Sequence, residues 1–188
     1  MSFPLSQLHT FKKPVPVRKG WVEDGIGYIP LTKGLLALVD PPWVPILEQW
    51  NWCAVLDVRS GEHYAKRLPS RSADLRRQHI NMARVILGMD LYGSEILPDH
   101  INRIKLDNRS DNLRVATRAE NQHNRGVQKN SSTGFKGVHF DKRFKRYYAR
   151  IKVNGEYIHL GCYRTIQEAY ARYCAAALEL HGEFACAA

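Results

Sequence analysis

Residues 98–124, PDHINRIKLDNRSDNLRVATRAENQHN, constrain the fold more than any other segment of this chain. The preceding residues run into it as EILPDHI, a pattern typical of a short strand. NRIKLDNRSDN is rich in turn-forming residues and predicts a polar loop. Thr117 and Glu120 have the spacing of a capping box, whose side chains satisfy the free amides at a helix start. A helix is therefore predicted from about residue 118 to 125, after the strand and the loop.

The polar side chains of this segment are of the types needed for phosphodiester hydrolysis. Asp99 and His100 lie at the strand end, where alternation places their side chains on opposite sides. Asn121 and Asn124 are three residues apart and share a helix face. Carboxylate and amide oxygens are ligands for magnesium or manganese, and an imidazole that titrates near neutral pH can accept a proton from water. An ordinary polar loop without a site is the alternative.

The same run resembles the HNH motif of phage and intron homing endonucleases, which belong to the His-Me finger, or ββα-metal, class. The matching pieces are Asp99-His100-Ile101-Asn102, Leu106-Asp107-Asn108-Arg109, Asn112-Leu113-Arg114 and Thr117-x-x-Glu120-Asn121. The resemblance implies that His100 is the general base and that Asp99 and Asn121 hold one divalent metal, magnesium or manganese. It also implies that Asn112 orients His100, and that the products carry 5′ phosphate and 3′ hydroxyl groups.

One departure from this family precedes the motif. Where these nucleases usually have Met-His-Arg, the chain has Met82-Ala83-Arg84. Arg84 remains a candidate for DNA binding, and QHINMARVILG is predicted to be a strand that ends at Gly88. The missing histidine leaves two readings open: an active homing endonuclease, or a sequence-specific DNA-binding protein whose nuclease site is inactive.

The last third of the chain predicts a small separate unit. Asn154-Gly155 between two alternating segments is a strong hairpin signal. Thr165 and Glu168 form a second capping box, which begins a long helix that ends at Gly182. We therefore expect a three-stranded antiparallel sheet packed on one helix. The composition of residues 127–134 is that of a linker.

This unit resembles the APETALA-type (ethylene-response-factor) DNA-binding domain of plants. The signatures are Gly137-Val138, Tyr148-x-Arg150-Ile151, His159-Leu160-Gly161, Thr165-x-x-Glu168-Ala169 and His181-Gly182-Glu183. The resemblance implies that the sheet lies in the major groove of double-stranded DNA. The candidate contacts are Arg143, Lys145, Arg146, Tyr148, Arg150 and Lys152. A solvated charged hairpin is the alternative.

The charge of the chain favours a polyanionic partner. The 28 basic residues exceed the 18 acidic ones, which gives a net charge of +10. Double-stranded DNA is the expected partner, and a basic arm at residues 66–84 is expected to add affinity. An RNA-binding or ribosome-associated protein would share the charge but would not need the Asp-His-Asn spacing. We expect no membrane partner, because no apolar run approaches about 20 residues. We also expect no small-molecule cofactor.

The predicted fold class is α+β, with four regions along the chain. Residues 1–65 contain all four tryptophans and form an N-terminal α+β region. Residues 66–126 form the nuclease domain, 127–134 the linker and 135–188 the DNA-binding domain. The N-terminus lacks the pattern of a secretory signal, and the cysteines never occur as C-x-x-C. The expected location is the cytoplasm of a bacterial or phage-infected cell.

Overall fold

The computed structural model describes residues 15–58, 60–69, 79–89, 91, 95–128 and 130–186. These residues form small antiparallel sheets and few helices, an architecture compatible with the α+β class. The strands, β1 to β11, are Trp21–Glu23, Ile26–Pro30, Leu36–Val39, Cys53–Asp57, Glu62–Arg67, Ile80–Asn81, Ile96–His100, Leu113–Thr117, Val138–Asp141, Arg146–Val153 and Glu156–Tyr163. The α-helices, α1 to α4, are Val44–Leu47, Met82–Ile86, Arg118–His123 and Ile166–His181. None of the helices in these stretches is long and apolar enough to cross a bilayer.

The N-terminal half and the polar segment share one hydrophobic core. Sheets β1-β2-β3 and β4-β5-β6 surround Trp52, which is fully buried and donates its indole N–H to the Leu47 carbonyl at 2.9 Å. The buried cluster extends from Ile29 to Leu113 at the start of β8. The core therefore continues across residue 65, and the strands of the first region support the polar segment directly.

Residues Met82–Ile86 of the segment QHINMARVILG are helical, so the prediction of a strand to Gly88 was wrong. Within the described part of this segment, only Ile80–Asn81 is a strand, and α2 follows at once. The Asn81 side chain accepts a hydrogen bond from the Ala83 amide at 2.9 Å and thereby caps the helix. The apolar faces of a short strand and of a single helical turn look alike in sequence, and here the cap decides between them.

The predictions for the C-terminal unit are confirmed in their local detail. Strands β10 and β11 pair around the Asn154-Gly155 turn, and β9 completes the three-stranded sheet. Helix α4 ends at His181, and both halves of its predicted capping box are present at its start. Gly137 has φ +72°, and a Cβ there would lie 2.1 Å from the ring of Tyr173, which is part of the buried α4 face. The glycine therefore permits the close approach of sheet and helix.

Candidate functional site

The polar segment folds as strand, loop, strand and helix. Strands β7 and β8 pair in antiparallel register, with Asp99 opposite Arg114 and His100 opposite Leu113. Helix α3 begins at the predicted capping box, in which the Thr117 amide donates to the Glu120 carboxylate at 2.7 Å. The helix ends at His123, two residues before the predicted end. This arrangement brings the strand end and the helix beside one another.

Asn112 fixes the loop that follows His100. Its side-chain oxygen accepts a hydrogen bond from the Asn102 amide at 2.9 Å, and its Nδ2 donates to the Asp107 carbonyl at 2.7 Å. Its own carbonyl accepts from the Ile101 amide at 2.9 Å. Asn112 thus holds the backbone immediately after His100, whereas its side-chain hydrogen bonds within the described residues go to Asn102 and Asp107 and not to the imidazole.

Strand β3 holds the same loop from the other side. The Leu38 amide donates to the Leu106 carbonyl at 2.8 Å, and the Asn108 amide donates to the Leu38 carbonyl at 2.8 Å. Asp107 is paired with Arg109 at 2.8 Å, and these hydrogen bonds lower the pKa of the Asp107 carboxyl. A loop of turn-forming residues is therefore rigidly attached to the N-terminal sheet.

Asp99 is almost fully buried, with 1% of its surface exposed, and its carboxylate is held by two side chains. Arg114 donates to Oδ2 from Nε at 3.0 Å and from Nη2 at 2.8 Å. The Asn124 amide donates to both carboxylate oxygens at 3.0 Å and to the His100 carbonyl at 2.8 Å. Within the described residues, Oδ1 accepts only the Asn124 hydrogen bond, so it retains free lone pairs.

His100 is also 1% exposed, and its two ring nitrogens differ in their surroundings. Nε2 lies 3.3 Å from the Asn108 oxygen, whose amide is oriented by donation from Nδ2 to the Leu106 carbonyl at 3.2 Å. Nε2 therefore carries the proton, and the Nδ1 lone pair has no partner among the described residues. Burial, and then the nearby Lys105 cation, lowers the pKa of His100 to about 4, so the ring is neutral near pH 7.

A cavity of about 340 Å³ lies beside Asp99. The predicted metal ligands Asp99 and Asn121 both line it, whereas His100 is not among the described lining residues. Strand alternation predicted this separation of Asp99 from His100. The lining also includes four cations and four residues of the β4–β5 hairpin: Arg103, Lys105, Arg118 and Arg125, and Asp57, Ser60, Glu62 and Tyr64.

The hairpin wall and the cations were missed by the sequence analysis. Tyr64 lies 35 positions before Asp99, yet its ring edge packs against the His100 ring, with centroids 6.4 Å apart. Burial, with the nearby Asp57 and Glu62 carboxylates, raises the pKa of Tyr64 to about 12. No pattern in the sequence signals this contact, because it depends on the packing of the N-terminal sheets against the loop.

The residues present fit a single hard cation. Asp99, which carries a carboxylate, and Asn121, which carries an amide oxygen, both line the cavity, and Asp99 Oδ1 has free lone pairs. Among the described residues, no group of three or more His, Cys, Asp or Glu side chains could hold a metal. Water and phosphate oxygens would therefore complete the shell of such an ion, as is usual for magnesium.

The predicted DNA contacts of the C-terminal unit lie together, apart from the nuclease candidates. Arg150 and Lys152 are exposed, while the intervening Ile151 is buried against α4. The Arg150 guanidinium lies 4.4 Å from the Tyr157 ring centroid on the neighbouring strand. Tyr148 is half-buried and shares this face, and Arg143, Lys145 and Arg146 are grouped at the β9–β10 turn and the start of β10.

Arg84 lies elsewhere. Only 6% of its surface is exposed, and its Nη2 donates to the Ile96 carbonyl at 2.6 Å at the start of β7. A buried guanidinium that binds a backbone carbonyl is not placed to contact DNA, so Arg84 is withdrawn from the DNA contacts. Ala83 beside it is fully buried in the N-terminal core and does not line the described part of the cavity.

Comparison with known proteins bears on the same segment. Residues 90–123 match the family model of HNH endonucleases. The match supports a nuclease with a nucleic-acid substrate, and it contains Asp99, His100, Asn112 and Asn121. The chain has no match among curated proteins.

Proposed function

We propose that the protein is a metal-dependent HNH endonuclease of the homing type, which hydrolyses phosphodiester bonds at a long double-stranded DNA site. One observation carries the proposal. Asp99 and Asn121 line one cavity, His100 follows on the same strand with an unpartnered Nδ1, and all three lie in the HNH-matching segment. The APETALA-type unit at residues 135–188 is the proposed groove-binding domain.

Asp99 and Asn121 would hold magnesium or manganese, which would stabilise negative charge on the scissile phosphate and on the leaving 3′ oxygen. His100 is the proposed general base, because its ring is neutral and Asn108 fixes the proton on Nε2. Nδ1 is enclosed in this conformation, with less than 1 Å² exposed. Proton transfer therefore requires the side chains that enclose Nδ1 to move when a substrate strand binds.

The electrostatics of the cavity suit a phosphodiester. Four cations, Arg103, Lys105, Arg118 and Arg125, line it beside the proposed metal ligands. Arg114 orders the buried Asp99 carboxylate through two charge-assisted hydrogen bonds. The exposed cations of β10 offer a second phosphate-binding surface, and the net charge of +10 suits a polyanion.

A catalytically inactive, sequence-specific DNA-binding protein is the second candidate. The enclosure of His100 Nδ1 and the alanine at position 83 favour it. The burial of Ala83 argues the other way, because that residue lies in the core and its side chain supplies nothing to the described cavity.

Plasmid cleavage separates these candidates. Supercoiled plasmid that carries the native locus is incubated with the protein and magnesium, and then with a chelator. We expect nicked or linear product only with the metal, and a loss of about a hundredfold to ten-thousandfold in His100→Ala while DNA binding persists. His63→Ala is the matched control, because His63 contacts Lys33 and is not among the described residues that line the cavity.

The outcomes are distinct. Equal cleavage by wild type and His100→Ala would remove His100 from the mechanism. DNA binding without any metal-dependent cleavage by the wild-type chain would favour the inactive binding protein.

A further inference from the structure

Arg114 connects the candidate nuclease site to the C-terminal unit. Two of its donors, Nε and Nη2, bind Asp99 Oδ2. The third nitrogen, Nη1, donates to the backbone carbonyl of Glu183 at 2.6 Å, and the Glu183 carboxylate lies 3.8 Å away. Glu183 belongs to the short 3-10 helix that follows α4. One guanidinium thus binds a proposed metal ligand and the end of the DNA-binding unit.

Phe184 covers the face of the same guanidinium. The Arg114 Cζ lies 3.9 Å from the Phe184 ring centroid, and Phe184 is 9% exposed. The Arg114 side chain is itself only 12% exposed. A cation that stacks on a ring is held more strongly where water is excluded, so Phe184 restricts the plane in which Arg114 presents its donors.

Other contacts join the two units at the same place. The Lys136 amino group donates to the carbonyls of His123 at 2.5 Å and Arg125 at 2.6 Å, at the end of α3. The His123 and His181 rings stack with centroids 3.6 Å apart. Residues 127–134 therefore do not separate two independent bodies, although their composition predicts a flexible linker.

We propose that Glu183 and Phe184 are positioning residues of the nuclease site. They fix Arg114, which holds the Asp99 carboxylate through Oδ2 and leaves lone pairs of Oδ1 free. The DNA-binding unit thereby completes the geometry of the metal site, and a chain with this contact broken would bind DNA but hold its metal poorly. This inference rests on the proposed function, since it concerns the proposed metal ligand.

The test compares two phenylalanines of the same unit. Phe184→Leu keeps an apolar side chain but removes the ring, and Phe184→Tyr keeps the ring. Phe144→Leu is the matched control, because Phe144 also lies beside an arginine, Arg143, at 5.8 Å, but is 63% exposed in the β9–β10 turn. Manganese affinity is measured on the full chain without DNA, by the electron paramagnetic resonance signal of free Mn²⁺. Plasmid cleavage, DNA affinity and thermal unfolding are measured on the same samples.

We expect Phe184→Leu to weaken Mn²⁺ binding and slow cleavage by about tenfold to a hundredfold, as the loss of a residue that orients a ligand usually does. Phe184→Tyr and Phe144→Leu should retain wild-type Mn²⁺ affinity, and DNA affinity should be unchanged in Phe184→Leu. A merely structural role for the ring would change the unfolding temperature and leave Mn²⁺ affinity alone.

Equal Mn²⁺ affinity in folded Phe184→Leu and Phe144→Leu overturns this inference but leaves the proposed function standing. If Phe184→Leu does not fold, Arg114→Gln tests the other end of the contact, and wild-type Mn²⁺ affinity there overturns the inference equally. Two results together refute the proposed function itself, and this role with it: the wild-type chain does not cleave DNA, and the Asp99→Asn variant binds Mn²⁺ as tightly as the wild type.

Discussion

Replacement of Asn124 tests how the candidate site is held together, separately from whether the site cleaves DNA. Its amide nitrogen donates to both oxygens of Asp99 and to the carbonyl of His100, at 2.8–3.0 Å. Asn124 is buried at the end of α3. Asn124→Ala would leave the His100 carbonyl without this donor and the Asp99 carboxylate with Arg114 alone.

The size of the effect follows from these contacts. A hydrogen bond to a charged group contributes about 1.5–3 kcal/mol, and a neutral one contributes about 1 kcal/mol. One N–H of Asn124 faces the carboxylate and the other faces the carbonyl, so we expect a loss of about 3 kcal/mol in the free energy of unfolding. For a chain of this size, the midpoint of thermal unfolding should fall by about 6–12 °C.

Asn121→Ala is the matched control, since Asn121 lies three residues earlier on the same helix. It lines the cavity, is half-buried and makes no side-chain hydrogen bond in the described part of the chain. Urea unfolding followed by circular dichroism should show a change below about 0.5 kcal/mol for Asn121→Ala. Plasmid cleavage should nevertheless be lost in that variant. The reasoning would be refuted if Asn124→Ala unfolded like the wild type, or if Asn121→Ala were equally destabilised.

Three further predictions concern other parts of the molecule. Tyr64→Phe should leave the free energy of unfolding unchanged but slow cleavage by about tenfold or more. The reason is that a phenol whose pKa is about 12 stays protonated and can donate a hydrogen bond to phosphate. Unchanged single-turnover cleavage rates would exclude that contact. Burial lowers the pKa of His123 and His181 below 6.5, so protonation favours the unfolded chain and the free energy of unfolding should fall as pH drops below about 6.5. Urea titrations at several pH values should show that the free energy of unfolding falls less with decreasing pH in His181→Gln than in the wild type. An identical fall would contradict the assignment of this pH dependence to His181. Arg150→Ala should reduce the slope of log DNA affinity against log salt concentration by about one. An unchanged slope would place the Arg150 side chain outside the interface.

Local signals in the sequence predicted local structure well. The two capping boxes and the Asn154-Gly155 turn lie where they were predicted, because each is specified by side chains within a few residues of one another. The strand predicted through Ala83 was wrong because the Asn81 cap outweighed an ambiguous apolar pattern. Residues 70–78, about half of the predicted basic arm at residues 66–84, lie outside the described residues.

Long-range contacts explain the rest of the differences. The resemblance to the HNH motif implied that Asp99 and Asn121 belong to one site, and both line the same cavity. It did not predict that Arg114 would bind Asp99 and the C-terminal unit together, nor that Tyr64 would reach His100. These contacts depend on how separate sheets pack, which neither strand alternation nor helix periodicity encodes. Arg84 was a candidate DNA contact in the sequence, and the structure buries it, because exposure depends on how the sheets pack and not on residue type.

A crystal of the protein grown with manganese would test the central assignment most directly, through anomalous scattering at the manganese absorption edge. We expect a single strong peak in the cavity, about 2.0–2.3 Å from an Asp99 carboxylate oxygen and from the Asn121 amide oxygen. The peak should disappear in Asp99→Asn crystals grown in the same way. An empty cavity at saturating manganese, or an ion held by Asp57 and Glu62 instead, would contradict the account.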